Sequence, residues 1–232
     1  MYFKQKGFTL IELMVVVILM GIMLAIALPG MNNFIANQRV ANAAEQFANL
    51  ARFARAEAAR LNRPVYLCPA QIKSDGKADN HCVVSHTGLG AVAWADHNND
   101  RTYQSATDLS LRTVIINNAN NPRIAFKIEN IKFDGSAQTT GGNARIFGFM
   151  PDGTFTRLEV SGTSKTVYPA SDGYVRITFT DKDASDVNDR QRRAVMLLLS
   201  NNGRVEFCER TDIQIGSGSG KCATSDTNWL PT

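Results

Sequence analysis

One carboxylate stands inside the most apolar stretch of this 232-residue chain: Glu12, within FTLIELMVVVILMGIMLAIAL at residues 8–28. A carboxylate in a membrane helix costs roughly 2.5 to 3.5 kcal/mol on insertion scales, so it needs a partner or a function. Thr9-Leu10-Ile11-Glu12 also fits a capping box, in which Glu12 reaches back to free backbone N–H groups at a helix start. Four cysteines are the next candidates. Cys68 to Cys82 and Cys208 to Cys222 span equal stretches, and local pairing is the simplest of three connectivities. Each closed loop would add about 3 kcal/mol in the chain-entropy model. No C-x-x-C spacing supports zinc. DHNND places Asp96, Asn98 and Asp100 at the alternating spacing of a calcium loop, but Arg101 stands where an EF-hand has glycine and the twelfth position lacks Glu. It reads as a polar turn, and calcium at Asp96 to Asp100 is left open without being predicted; DKDASD at residues 181–186 is similar. His81, His86 and His97 fall in loops around the first cysteine pair with neither metal spacing nor a nucleophile elbow, and GSGSG lacks a P-loop ending. No catalytic set, metal or cofactor follows, and the expectation is a protein that is not an enzyme.

The elements that carry these residues change character along the chain. Residues 8–28 match the bilayer core in helical length. Lys4 and Lys6 precede the run and no Lys or Arg follows until Arg39, which places the N-terminus in the cytoplasm and the rest outside. The cysteines agree with export to an oxidising compartment. An ordinary secretory signal ending at the AIA of residues 25–27 is the rival, but its apolar core would be too long. Beyond Pro29, a candidate kink, Val40, Ala43, Phe47, Leu50, Ala54, Ala58 and Leu61 recur every three or four residues, so residues 29–63 form an amphipathic helix that Pro64 stops. Residues 64–232 then give short β-branched and aromatic runs, among them PVYLCPA, GAVAWAD, RIAFKIENIKF and AVMLLLS, with turns at Pro151-Asp152-Gly153 and Asn201-Asn202-Gly203. IGSGSGKC near the end reads as a flexible loop. The fold class is α+β: a long N-terminal helix packed on an antiparallel β-rich domain. With 44% hydrophobic and 20% charged residues the chain buries a core, and a net charge of +4 does not identify a nucleic-acid partner.

The run KGFTLIELMVVVILMGIMLAIALPG resembles the class III signal of type IV pilins and type II secretion pseudopilins. The resemblance implies that residues 1–7 are a leader, that a prepilin peptidase cuts between Gly7 and Phe8, and that Phe8 is then N-methylated. Glu12 matches the family's glutamate at the fifth mature position. Cutting turns the Phe8 amide into an α-amine with a reference pKa near 8, so a neighbouring helix staggered along a filament could set that cation against Glu12. The later blocks RPVYLCP, FGFMPDGTFTR and VMLLLSNNGRVEFC are similar to the GspH/FimT group, and most similar to FimU-type minor pilins. That implies a role near the pilus tip in starting assembly, with other minor and major pilins, the inner membrane and the assembly machinery as partners, and a final place in the extracellular pilus. A type II secretion pseudopilin is one alternative. A FimT-like DNA-binding pilin for natural transformation is another: such relatives use a C-terminal G-R-x-R, and here Gly203-Arg204-Val205-Glu206 replaces the second arginine with an acid, which repels phosphate. Arg190, Arg192 and Arg193 are further candidate DNA contacts, while Arg210 and Lys221 flank the last cysteines.

Overall fold

A computed structural model describes residues 7–162, 164–184, 186–215 and 220–224, the side chains of residues 26–30, 210 and 214 excepted. The expected leader charges Lys4 and Lys6 lie outside it. So do residues 216–219, the middle of the expected flexible loop. In chain order the elements are α1 (Leu10–Leu61), β1 (Val65–Pro69), β2 (Gln71–Ile72), β3 (Ala78–Asp79), β4 (Gly90–Ala95), β5 (Leu109–Ile115), β6 (Ile124–Lys132) and β7 (Ile146–Phe149). They continue with β8 (Phe155–Ser161), β9 (Ser164–Pro169), β10 (Gly173–Asp181), α2 (Val187–Arg193), β11 (Val195–Leu199), β12 (Val205–Phe207), β13 (Gln214–Ile215) and β14 (Ala223–Thr224). The chain divides into two units, one ending at Gln38 and one beginning at Arg39.

The first unit is helical from Leu10, and the helix assignment runs through Pro29 without a break. In the second unit, α1 ends because Asn62 takes a left-handed φ of 50° and the Arg63 N–H bonds back to the Ala58 carbonyl at 3.3 Å, the Schellman arrangement, with Pro64 following. Six antiparallel strands form one sheet in the order β5-β4-β1-β7-β8-β9, and four form another in the order β12-β11-β10-β6. Val40, Phe47, Leu50 and the alanines at 43, 44, 48, 51, 54 and 58 join one core with residues of both sheets. The small alanines allow the sheets close to the helix axis, and Phe47, Phe126 and Phe179 fill the space beyond them with ring centroids 5.0 to 6.0 Å apart.

Strand alternation sends the other side chains outward. Leu197 and Leu199 belong to the helix-facing core, whereas Met196 and Leu198 pack with Ile213 and Cys222 on the opposite face of the four-stranded sheet. Likewise Val65 and Leu67 face the helix, and Tyr66 and Cys68 join Trp94 and Leu158 on the far side. Both faces of β1 and β4 are therefore covered, which explains their nearly continuous apolar sequence. The expected turns are present, and Gly203 is required at its turn: its φ is 71° and a Cβ there would lie 3.0 Å from the Phe149 ring.

Candidate functional site

Helix α1 begins at Leu10 because Thr9 caps it: the Thr9 hydroxyl accepts the Glu12 N–H at 3.3 Å and its carbonyl accepts the Leu13 N–H at 3.2 Å. The reciprocal half of the capping box is absent. Among the described residues the Glu12 carboxylate has neither a hydrogen-bond nor an ion-pair partner. Gly7 and Phe8 precede the first turn, and Phe8 is 81% exposed. Around Glu12 the apolar side chains of Leu10, Ile11 and Leu13 are exposed by 77, 67 and 61%. Among the described residues no helix is long and apolar enough to cross a membrane. Within the expected span the described side chains end at Ala25, and those of residues 26–28 lie outside the described set.

The cysteines pair as Cys68–Cys82 and Cys208–Cys222. The first bond ties β1 to the segment after β3, and the buried Trp94 of β4 donates its indole N–H to the Cys82 sulfur at 3.1 Å. Tyr66, Trp94, Tyr103 and His81 continue from there as a chain of ring contacts, ending with His81 stacked on Tyr103 at 3.5 Å. Burial pulls the His81 pKa below its ordinary value, with Asp79 opposing in part. The second bond joins the residue after β12 to the residue before β14, on the outer face of the four-stranded sheet.

The acidic loop is closed by its own backbone. Asp96 accepts the Arg101 N–H at 2.9 Å, Asp108 accepts those of His97 at 3.0 Å and Gln104 at 2.7 Å, and Asp100 accepts that of Thr102 at 2.7 Å. Hydrogen bonding to Thr102 holds the Asp100 carboxyl below its ordinary pKa. Among the described residues no group of three or more acidic, histidine or cysteine side chains is arranged to hold a metal ion.

The candidate DNA contacts do not form one patch. Arg190, Arg192 and Arg193 sit on α2, which Asp186 caps by accepting the Asp189 N–H at 2.8 Å, and which covers the outer face of the four-stranded sheet. There Arg192 pairs with Asp189, and Arg193 pairs with Asp181. Arg204 lies instead at the turn between β11 and β12, in a groove of about 530 Å³ walled by Arg52, Arg55, Ala56 and Ala59 of α1. Neither Arg52 nor Arg55 is among the candidate contacts that the sequence offers. Their spacing puts the two arginines on one helical face, but nothing in the sequence links that face to residue 204. Arg52 also lies over the Phe207 ring at 5.8 Å, and Glu206 stands 4.0 Å from Arg204.

An uncapped carboxylate in an exposed apolar helix start, followed by a disulfide-tied β-domain on the same helix, is the layout of a pilin-type structural subunit. Residues 43–229 match the family described as Type II transport protein GspH, and residues 2–28 match the prokaryotic N-terminal methylation motif. The chain belongs to the GspH family. It is 35% identical to the type IV major fimbrial protein FimA of Dichelobacter nodosus over 101 residues, 42% of this chain and 54% of that protein. It is 56% identical to a fimbrial protein of Moraxella nonliquefaciens over 39 residues, 17% of this chain and 25% of that protein. The chain thus spans about half the length of these curated relatives, or less. Among solved structures it is similar to the type IV minor pilin FimU of Pseudomonas aeruginosa, with a TM-score of 0.41 and 14% identity over 77% of this chain and 94% of that one.

Proposed function

We propose that this protein is a minor pilin, a structural subunit that enters a type IV pilus near its tip and helps start assembly. The observation that carries the reading is Glu12: a carboxylate without a partner among the described residues, four residues from Phe8, in a helix start whose apolar side chains stand exposed. Prepilin peptidase cleaves between Gly7 and Phe8, and the new α-amine of one subunit neutralises Glu12 of its neighbour. Residues 8–28 hold the subunit in the inner membrane beforehand, with the β-domain on the periplasmic side. In the filament the same apolar side chains are covered by other pilins. The fimbrial relatives favour a pilus over a secretion pseudopilus. Glu12→Ala is expected to leave cleavage intact and to abolish incorporation into sheared filaments; normal incorporation would reduce the carboxylate to a surface group. Loss of surface pili with intact protein secretion, on deletion of the gene, separates the pilus from the secretion alternative.

A second reading, DNA uptake, is favoured by the groove in which Arg204 stands with Arg52 and Arg55. Duplex DNA held there binds less tightly as salt rises, and Arg52→Ala with Arg55→Ala and Arg204→Ala lowers the salt slope by about three. Salt-independent binding, or no binding at low salt, excludes it.

A further inference from the structure

Strand β6 is an edge of the four-stranded sheet, and its outward backbone groups are only partly occupied. In an antiparallel ladder the N–H and C=O of one residue point to the same side, and successive residues alternate. The Asn117 carboxamide reaches the N–H and C=O of Ile124, Gln138 donates to the Asn130 carbonyl, and Lys132 donates to Ser136. The even-numbered residues of β6 therefore point away from β10. Gly88 packs against the Phe126 side chain, where a Cβ on Gly88 would lie 3.3 Å from the Phe126 Cβ. Ile128, whose residue as a whole is 5% exposed, lies in the gap before Asn130: among the described residues nothing bonds its outward N–H and C=O, nor the outward N–H of Asn130.

These groups open on a cleft of about 530 Å³ with charged walls. The one carboxylate that lines it among the described residues, Glu129, is already engaged by Arg176 at 2.8 Å and Lys127 at 3.2 Å. Arg145 is hydrogen-bonded by the Gly142 and Ala144 carbonyls, at 3.2 and 3.0 Å; Glu129 and Glu159 act on it through space, but no carboxylate forms an ion pair with it among the described residues. Asn130 is 3% exposed, and its Oδ1 has no donor. A narrower apolar cleft lined by Phe47, Leu67, Ala91 and Phe147 adjoins the first and shares Ile128 and Arg145 with it.

We infer that this cleft takes up an extended, acidic segment of a neighbouring filament subunit, which pairs its backbone with Ile128 and sets a carboxylate against Arg145. An unpaired backbone donor and acceptor on one edge residue are what an added strand satisfies. A guanidinium hydrogen-bonded only to carbonyls has N–H donors to spare for a carboxylate, and such charge-assisted bonds are the stronger kind. A small carboxylate would satisfy Arg145 and leave Ile128 open; a peptide answers both. The inference rests on the filament reading above.

Two experiments test it. In the purified full chain in detergent, the Ile128 amide is expected to exchange about tenfold or more faster than the Lys127 and Glu129 amides, which point to β10; equal protection of all three overturns the open edge. In cells that assemble the filament, a photo-crosslinking benzoylphenylalanine replacing Asn143, an exposed residue of the cleft, is expected to capture an acidic segment of a second pilin. Arg145→Glu should lower that capture about tenfold, and Arg145→Gln by less, while both variants keep the thermal unfolding of the parent. Capture of residues 225–232 of the same chain, capture insensitive to Arg145→Glu, or no capture from subunits that are in filaments overturns the proposal. Absence of the subunit from filaments is read separately, by its content in the sheared fraction, and marks failure of the filament reading instead.

Discussion

The two halves of α1 are both rich in apolar residues and meet opposite fates. From Leu10 to Leu24 the large apolar side chains are 43 to 77% exposed, whereas Val40, Leu50, Ala54 and Ala58 are fully buried. The difference is one of pattern. In the first half apolar residues surround the helix on every side, and their side chains stand exposed. In the second, an apolar stripe faces two sheets, and alanine keeps the contact close. A helix apolar all round calls for a lipid or helical environment, while a striped one is completed by its own chain.

The largest effect should come from cutting the stripe. Leu50→Ala is expected to lower the stability of the β-domain by about 3 to 4 kcal/mol, read by denaturant unfolding. Leu19→Ala, removing the same atoms from the first half, should stay within about 0.5 kcal/mol, and an equal loss at both positions would break the comparison. Replacing Cys208 and Cys222 together with serine should cost about 3 kcal/mol, through the loop they close. Next comes Asn117, whose carboxamide bonds Gly88, Arg123 and both backbone groups of Ile124; Asn117→Ala should cost about 2 kcal/mol by leaving buried backbone groups unpaired. The smallest effect is the pH response of His81. Its folded pKa is lowered by burial, so its neutral form favours the fold, and stability should decline as pH falls below about 6.5 toward the folded value. His81→Phe should flatten that part of the profile while the rest keeps its shape.

Much of this organisation was legible in the sequence, because long periodic patterns leave little choice. The stripe from Val40 to Ala58, the stop at Pro64 and the strands with β-branched cores all coincide with observed elements. Leu61, the last residue of the expected stripe, is only partly buried. Strand β9 was missed because SKTVYP is an edge strand with exposed or half-buried side chains and lacks an apolar alternation to detect. Helix α2 was missed for a related reason: VNDRQRR buries no residue and is defined by its Asp186 cap, so it carries no apolar pattern to detect. The capping box at Thr9 was legible as a motif but only half of it forms, since the hydroxyl bond satisfies the Glu12 N–H without recruiting its carboxylate. The groove that joins Arg204 to Arg52 and Arg55, and the open edge at Ile128, depend on sheet order and register, which no local pattern carries.

The central claim is that the first half of α1 is covered by other subunits after a cut that creates its partner charge. The intact mass of this protein in sheared, washed filaments tests it most directly. A chain beginning at Phe8 with one added methyl group is the expected result. A chain beginning at Leu28 or Met1, or none in the filament fraction, would contradict it.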